Sequence, residues 1–264
     1  MYPFEYHKAA SVDDALTQVS RVDEGKYLAG GMTLIPTMKQ RLAAPELLVD
    51  IGQLDTLSGI RIDNDYIVIG SMTTHATVER SPLVSAHLPG LAQLAAEIGD
   101  PQVRNRGTLG GSIANADPAA DYPAAVLALA AIIVTNTRSI PADEFFIDIF
   151  ETALEEHEII TEVRFPLVVK SGYKKFPNPA SHYPVVGVFI AVHEDNVRVA
   201  VTGAAGCVFR CEDAEARLAG HFDVSALEGL VVDSEDFNED IHATAQYRAH
   251  LIGVMASRLV QSMQ

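Results

Sequence analysis

Two glycine pairs restrict this chain more than any other feature: AGGMTLIP at residues 29–36 and TLGGSIANADPAAD at residues 108–121. Both read as a double glycine at the end of a strand, followed by a small hydroxyl residue and then a helix or further loop. Glycine takes positive φ freely and, lacking a Cβ, lets another group approach the main chain. Consecutive amides opened in this way converge on an anion, and a helix N-terminus just beyond adds a favourable partial charge. Phosphate is the anion that suits such loops, and the hydroxyls of Thr33, Thr108 and Ser112 can donate further hydrogen bonds. Neither loop contains a lysine, and nothing in the chain fits GxGxxG or GxxxxGKS/T, which disfavours a nucleoside triphosphate loop and the common dinucleotide fold. One glycine pair is ordinary turn punctuation. Two pairs, each flanked by hydroxyls, point to a pyrophosphate held mainly by main-chain amides.

An aspartate repels phosphate, so Asp121 has two readings: an acceptor for ribityl or ribose hydroxyls, or the N-cap of a helix beginning near Pro123. Pro118 and Pro123 stiffen the same segment. Arg104 and Arg106, in QVRNRGTLGG, either reach phosphate or solvate the loop.

The chain has 264 residues, 48% of them hydrophobic and 20% charged, enough to bury a substantial core. Nineteen Lys and Arg against 35 Asp and Glu give a net charge of −16, which argues against nucleic acid or an anionic membrane as partner. The longest apolar run, residues 124–134, falls short of the ~20 residues of a membrane span and reads as core. The start, MYPFEYHKAASVDDAL, has no secretory signal pattern, so a cytoplasmic protein is expected. Cys207 and Cys211 read as plain thiols, and the nine histidines show no HxxxH or HExxH spacing.

The hydrophobic pattern divides the chain into three parts. Residues 1–57 alternate helix and strand signals, with Ser11 as N-cap of a helix that carries Val12, Ala15, Leu16 and Val19 on one face. Residues 58–170 read as two strands joined at Asn64 and Asp65, several helices, the second glycine loop, an apolar helix and a closing strand, EIITEVRFP. Residues 171–264 read as a Pro-rich loop, GYKKFPNPASHYP, then two strands and two helices. The fold class is α+β.

These stretches together resemble the FAD-binding medium subunit of the molybdenum hydroxylase family, of the carbon monoxide dehydrogenase and xanthine dehydrogenase type. The likeness extends through EIITEVRFP, GYKKFPNPASHYPVVGV, VAVTGAA and DIHATAQYRAHLIGVMASRLV, in order and spacing. It implies non-covalent FAD in a fold of the vanillyl-alcohol-oxidase type, with a C-terminal α+β domain of the carbon monoxide dehydrogenase flavoprotein type. By the same resemblance, Ala29, Gly30, Gly31, Met32 and Thr33 cradle the pyrophosphate on one side, with Thr108, Leu109, Gly110, Gly111 and Ser112 on the other. Asp121 holds ribityl or ribose hydroxyls, Ile160 and Ile98 touch the flavin, and Lys175 stands near the isoalloxazine edge unless it is simply solvated. Tyr183 is a further candidate against the ring. Met32 and Thr33 replace the histidine and serine of many relatives, so a histidine hydrogen bond is lost there. The implied partners are a large molybdopterin-binding subunit and a small subunit with two 2Fe–2S clusters, assembled as a dimer of heterotrimers. Electrons reach FAD singly and leave toward an external acceptor. The rival readings are a free-standing FAD-dependent oxidoreductase with its own substrate site, and an anion-binding module without catalysis.

Overall fold

The computed structural model describes residues 1–264. In the first part, β1 (Glu5–Lys8), α1 (Val12–Val19), β2 (Gly25–Leu28), α2 (Leu34–Lys39) and β3 (Leu47–Asp50) form a parallel sheet ordered β1-β3-β2. The Ser11 hydroxyl accepts from the Asp14 amide at 3.0 Å, and Ala15 and Val19 of α1 bury against Leu47 and Val49.

The second part opens with the hairpin β4 (Ile60–Asp63) and β5 (Tyr66–Gly70), in which Asn64 takes the left-handed conformation at φ 51°. Helices α3 (His75–Glu79), α4 (Pro82–His87), α5 (Pro89–Glu97), α6 (Pro101–Arg104), α7 (Leu109–Asn115) and α8 (Tyr122–Ala128) follow. Strands β6 (Ile132–Thr135) and β7 (Ser139–Pro141) come next, then a small hairpin of β8 (Phe146–Asp148) and β9 (Glu151–Thr152), and last β10 (Ile160–Pro166). The five-stranded antiparallel sheet runs β4-β5-β10-β6-β7. The apolar run 124–134 is core, as its composition requires, but it breaks into the end of α8 and the start of β6 at Ala130, φ 50°.

The third part is a second antiparallel sheet of β11 (Lys170–Pro177), β12 (Pro184–Val192), β13 (Val197–Thr202) and β14 (Phe209–Arg210), with α9 (Glu212–Gly220) and α10 (Ala245–Met263). Here the structure corrects the sequence reading of a Pro-rich loop: GYKKF lies within β11, and the loop is only residues 178–183. Lysines 174 and 175 hid the alternation, because Lys175 faces the interior with Tyr173 while Lys174 turns outward. Pro177 is tolerated because β11 is an edge strand.

The sheets are four, counting the β8–β9 hairpin, but the main core is shared: Tyr173, Phe189, Ala191 and Ala200 pack into the same cluster as α5 and α8. Close approach of α5 to β11 depends on Gly90, where a Cβ would lie 2.6 Å from the Gly172 amide nitrogen. Since backbone cannot yield as a flexible side chain does, Gly90→Ala should cost about 1–3 kcal/mol and lower the thermal midpoint by several degrees. An unchanged midpoint would contradict this packing.

Candidate cofactor site

The two glycine loops lie against each other and differ in what their amides do. In the first, β2 ends at Leu28, Gly31 turns the chain at φ 73°, and α2 begins at Leu34 without a side-chain cap from Thr33. The six consecutive amides of Ala29, Gly30, Gly31, Met32, Thr33 and Leu34 donate to no group of the protein. Met32 and Thr33 are exposed beside them. Such a run of open donors is what an anion-binding turn provides.

The second pair does not sit at a strand end: it occupies the first turn of α7, because Thr108 caps that helix. Its amides are already engaged: Leu109 donates to the Thr73 carbonyl at 3.0 Å, Gly110 to the Ser71 carbonyl at 2.8 Å, and Ser112 to the Thr108 carbonyl at 3.0 Å. The Gly111 amide donates to Thr108 Oγ1 at 3.1 Å. These glycines serve close packing instead. A Cβ at Gly110 would lie 2.5 Å from Ser71 Cβ, one at Gly111 would meet Ala29 Cβ at 3.4 Å, and one at Gly30 would collide with the Arg106 carbonyl. The Ser112 hydroxyl makes no hydrogen bond within the protein.

Asp121 is buried at the start of α8, and its side chain does not cap that helix. Its Oδ1 accepts from Tyr173 Oη at 2.7 Å and from Lys175 Nζ at 2.9 Å. Lys175 is buried too, so the solvated reading fails, and its ammonium also donates to the Glu97 carbonyl at 2.8 Å. Burial pushes the Asp121 carboxyl up, and the Lys175 charge with the Tyr173 and Lys175 hydrogen bonds opposes that shift. Asp121 Oδ2 accepts from no other side chain, and one ammonium proton of Lys175 is unpaired, which leaves both groups able to bond a ligand. Tyr173 is the member of this set that sequence reasoning missed, since nothing marks a tyrosine in a strand as the partner of an aspartate 52 positions earlier.

Ile98 follows Glu97 directly and is half-buried, whereas Ile160 is buried at the start of β10. The Thr161 carbonyl accepts from the Ser71 amide at 2.9 Å, which brings Ile160 beneath the second loop through Ser71. Arg104 neither reaches phosphate nor solvates the loop: it pairs with Glu79 at 2.9 Å and donates to the Ile98 carbonyl at 3.1 Å. Arg106 has an exposed side chain. Tyr183 is exposed on the 178–183 loop, and partial desolvation, followed by the Asp117 and Asp121 charges, pushes its phenol up.

Behind the second loop is a buried polar group that no motif signalled. His75 packs its ring 5.2 Å from that of Tyr122, and its Nδ1, the Tyr122 hydroxyl and the Ser71 hydroxyl are buried without partners. Burial, and then the charge of Arg104, lower the His75 pKa to about 4.

Residues 2–168 match the model of the FAD-binding domain in molybdopterin dehydrogenase, and the chain belongs to that family. Its cofactor is FAD, and the residues present fit one: an open run of amides for a pyrophosphate, and a buried carboxylate and ammonium with bonding capacity to spare. The chain is 35% identical over 276 residues to the carbon monoxide dehydrogenase medium chain of Hydrogenophaga pseudoflava, covering 98% of this chain and 96% of that one. It is 36% identical over 269 residues to the nicotine 6-hydroxylase medium subunit of Paenarthrobacter nicotinovorans, covering 97% and 95%. The solved carbon monoxide dehydrogenase of Hydrogenophaga pseudoflava lacking the Mo-pyranopterin moiety superposes with a TM-score of 0.91 at 36% identity, over 99% of this chain and 98% of that one.

Two expectations follow from the buried charges. Lys175→Met strands the Asp121 carboxylate, and breaking a buried pair in this way costs about 3–5 kcal/mol. Denaturant unfolding should show that loss in the single variant and recover part of it in Asp121→Asn/Lys175→Met; equal stability of Lys175→Met and the parent would remove the pair from the account. For His75 the folded pKa lies below the unfolded value of ~6.5, so its contribution is present above that pH and lost as pH falls toward 4. Between pH 7 and 4.5 the loss is about 2 kcal/mol. A His75→Gln variant should lose correspondingly less stability over that interval, and parallel pH profiles for the two proteins would rule the effect out.

Proposed function

We propose that this chain is the electron-transfer flavoprotein subunit of a molybdenum hydroxylase: it takes electrons from the 2Fe–2S clusters of a small partner subunit and delivers them to an external acceptor. A large molybdopterin-binding subunit oxidises the organic substrate. The observation that carries this reading is the open amide run from Ala29 to Leu34, set against a second loop whose amides are self-satisfied. FAD, when bound, couples one-electron supply to two-electron delivery.

The chain's own residues hold and orient. Ala29, Gly30, Gly31, Met32 and Thr33 supply pyrophosphate donors. Thr108, Leu109, Gly110, Gly111 and Ser112 form the packed floor, with the Ser112 hydroxyl as their free donor. Asp121 Oδ2 accepts from ligand hydroxyls, while Lys175 and Tyr173 fix Asp121 Oδ1 and Lys175 offers its remaining proton to the ring edge. Ile98 and Ile160 give the ring an apolar surface. Residues 1–57, 58–170 and 171–264 act as two FAD-binding subdomains and a C-terminal domain. No helix is long and apolar enough to cross a membrane, and a cytoplasmic dimer of heterotrimers is the assembly that fits this role.

A cavity of about 420 Å³, lined in part by Pro118, Ala119, Asn178, Ser181, Tyr183 and Arg248, gives an external acceptor room beside the Asp121 segment. It is also the feature that would serve a free-standing oxidoreductase, so turnover decides between them. The FAD-loaded chain should show a band near ~450 nm that bleaches when the dithionite-reduced iron–sulfur subunit is added, and no activity alone with purines, aldehydes or carbon monoxide. Turnover of any of these by the chain alone would favour the free-standing enzyme.

A further inference from the structure

The β8–β9 hairpin breaks the usual rules of turn composition. Asp148 pairs with Glu151, so the loop between the strands is Ile149–Phe150, where small or polar residues such as Asn and Gly are normal. Phe150 takes φ 55°, a left-handed conformation that a bulky residue rarely adopts. Ile147, Ile149 and Phe150 are 55%, 52% and 59% exposed, so the hairpin presents three large apolar side chains to solvent. Neighbouring elements hold it in place. The Phe150 amide donates to the carbonyl of Ala116 at 3.2 Å, Ala116 is itself left-handed at φ 44°, and a Cβ added to Gly206 would touch Ile149 Cγ1 at 3.0 Å. The root is anchored by Phe145, fully buried, whose ring meets Phe146 edge-on at 5.0 Å.

An exposed apolar tip held in a costly backbone conformation marks an interaction surface. We propose that Ile147, Ile149 and Phe150 form the contact on which the iron–sulfur subunit docks. The assignment rests on the electron-transfer role proposed above. Two features select this partner. Ala116, which the tip grips, ends α7 and leads into the segment that carries Asp121, so a protein seated here is brought against the candidate cofactor site, where an electron donor has to be. The charge is also one-sided at the tip: the exposed Asp148 and Glu151 close its turn and the exposed Glu144 precedes its first strand, none of them in an ion pair, whereas Asp143 is held by Arg198 and Arg210 and Glu155 by Arg138. The docking face of the partner is therefore apolar at its centre with lysine or arginine at its rim.

Two variants at exposed positions test this, Ile147→Ser and Phe150→Asn, the second chosen because asparagine accepts the left-handed conformation. The partner probe is the copurifying subunit that carries the 2Fe–2S absorbance, separated and titrated calorimetrically against each full-length chain. Both variants should keep parental FAD content and melting while binding that subunit about 10-fold or more weakly, as aromatic and apolar anchors at interface centres do. Flavin reduction by the pre-reduced subunit should slow at low partner concentration and recover at saturation. Parental affinity in both variants would overturn the assignment, as would weakened binding of the large subunit, or weakened self-association, with iron–sulfur binding intact. If the unmodified chain fails to bind the iron–sulfur subunit, the electron-transfer reading falls and this assignment with it.

Discussion

The Asp121–Lys175 ion pair ties the candidate site to the fold. Asp121 comes from the start of α8, Lys175 from the edge strand of the third part, and the Glu97 carbonyl from the end of α5, so one ammonium joins three elements distant in sequence. Two charges buried this deeply each carry a desolvation penalty of several kcal/mol, recovered only by good geometry and satisfied hydrogen bonds. Tyr173 provides the second donor to Asp121 Oδ1. The Gly90 contact makes the arrangement possible, because it lets α5 lie close enough to β11 for the lysine to reach a main-chain carbonyl. The buried pair is a costly way to stabilise a core, and it holds a hydrogen-bonding carboxyl fixed next to the site.

The glycines divide in the same physical terms. Gly31 is needed for its positive φ, Gly30 and Gly111 for the absence of a side chain where the two loops meet, and Gly110 for the close approach of Ser71. One strand-to-helix turn is thereby held open with six unpaired donors, on a support whose own donors are closed. An open loop without that support would lack a fixed shape, and preorganisation would be lost.

Much of this was legible in the sequence. The hairpin at Asn64, the capped helix after Ser11 and the apolar segment at 124–134 follow from turn chemistry, capping and hydrophobicity, which are local. Both glycine loops were visible for the same reason. What was not legible depends on long-range packing. Amides 109 and 110 look as free as amides 29–34 until the Thr73 and Ser71 carbonyls arrive from the turn after β5. Strand β11 was hidden by its lysines, because a pattern reading counts Lys175 as polar surface when an aspartate elsewhere in the chain makes it core. The exposed tip at Ile149–Phe150 was missed since apolar residues in a two-residue loop contradict the signal by which hairpins are recognised.

Which amides meet the ligand decides the site, and amide hydrogen exchange of the chain with and without FAD measures that directly. Without FAD, residues 29–34 should exchange fast and residues 109–112 slowly, because only the latter have acceptors within the protein. Adding FAD should slow exchange at residues 29–34 and leave residues 109–112 nearly unchanged. Protection that appears at residues 109–112 while residues 29–34 continue to exchange freely would contradict the division of the two loops and the site built on it.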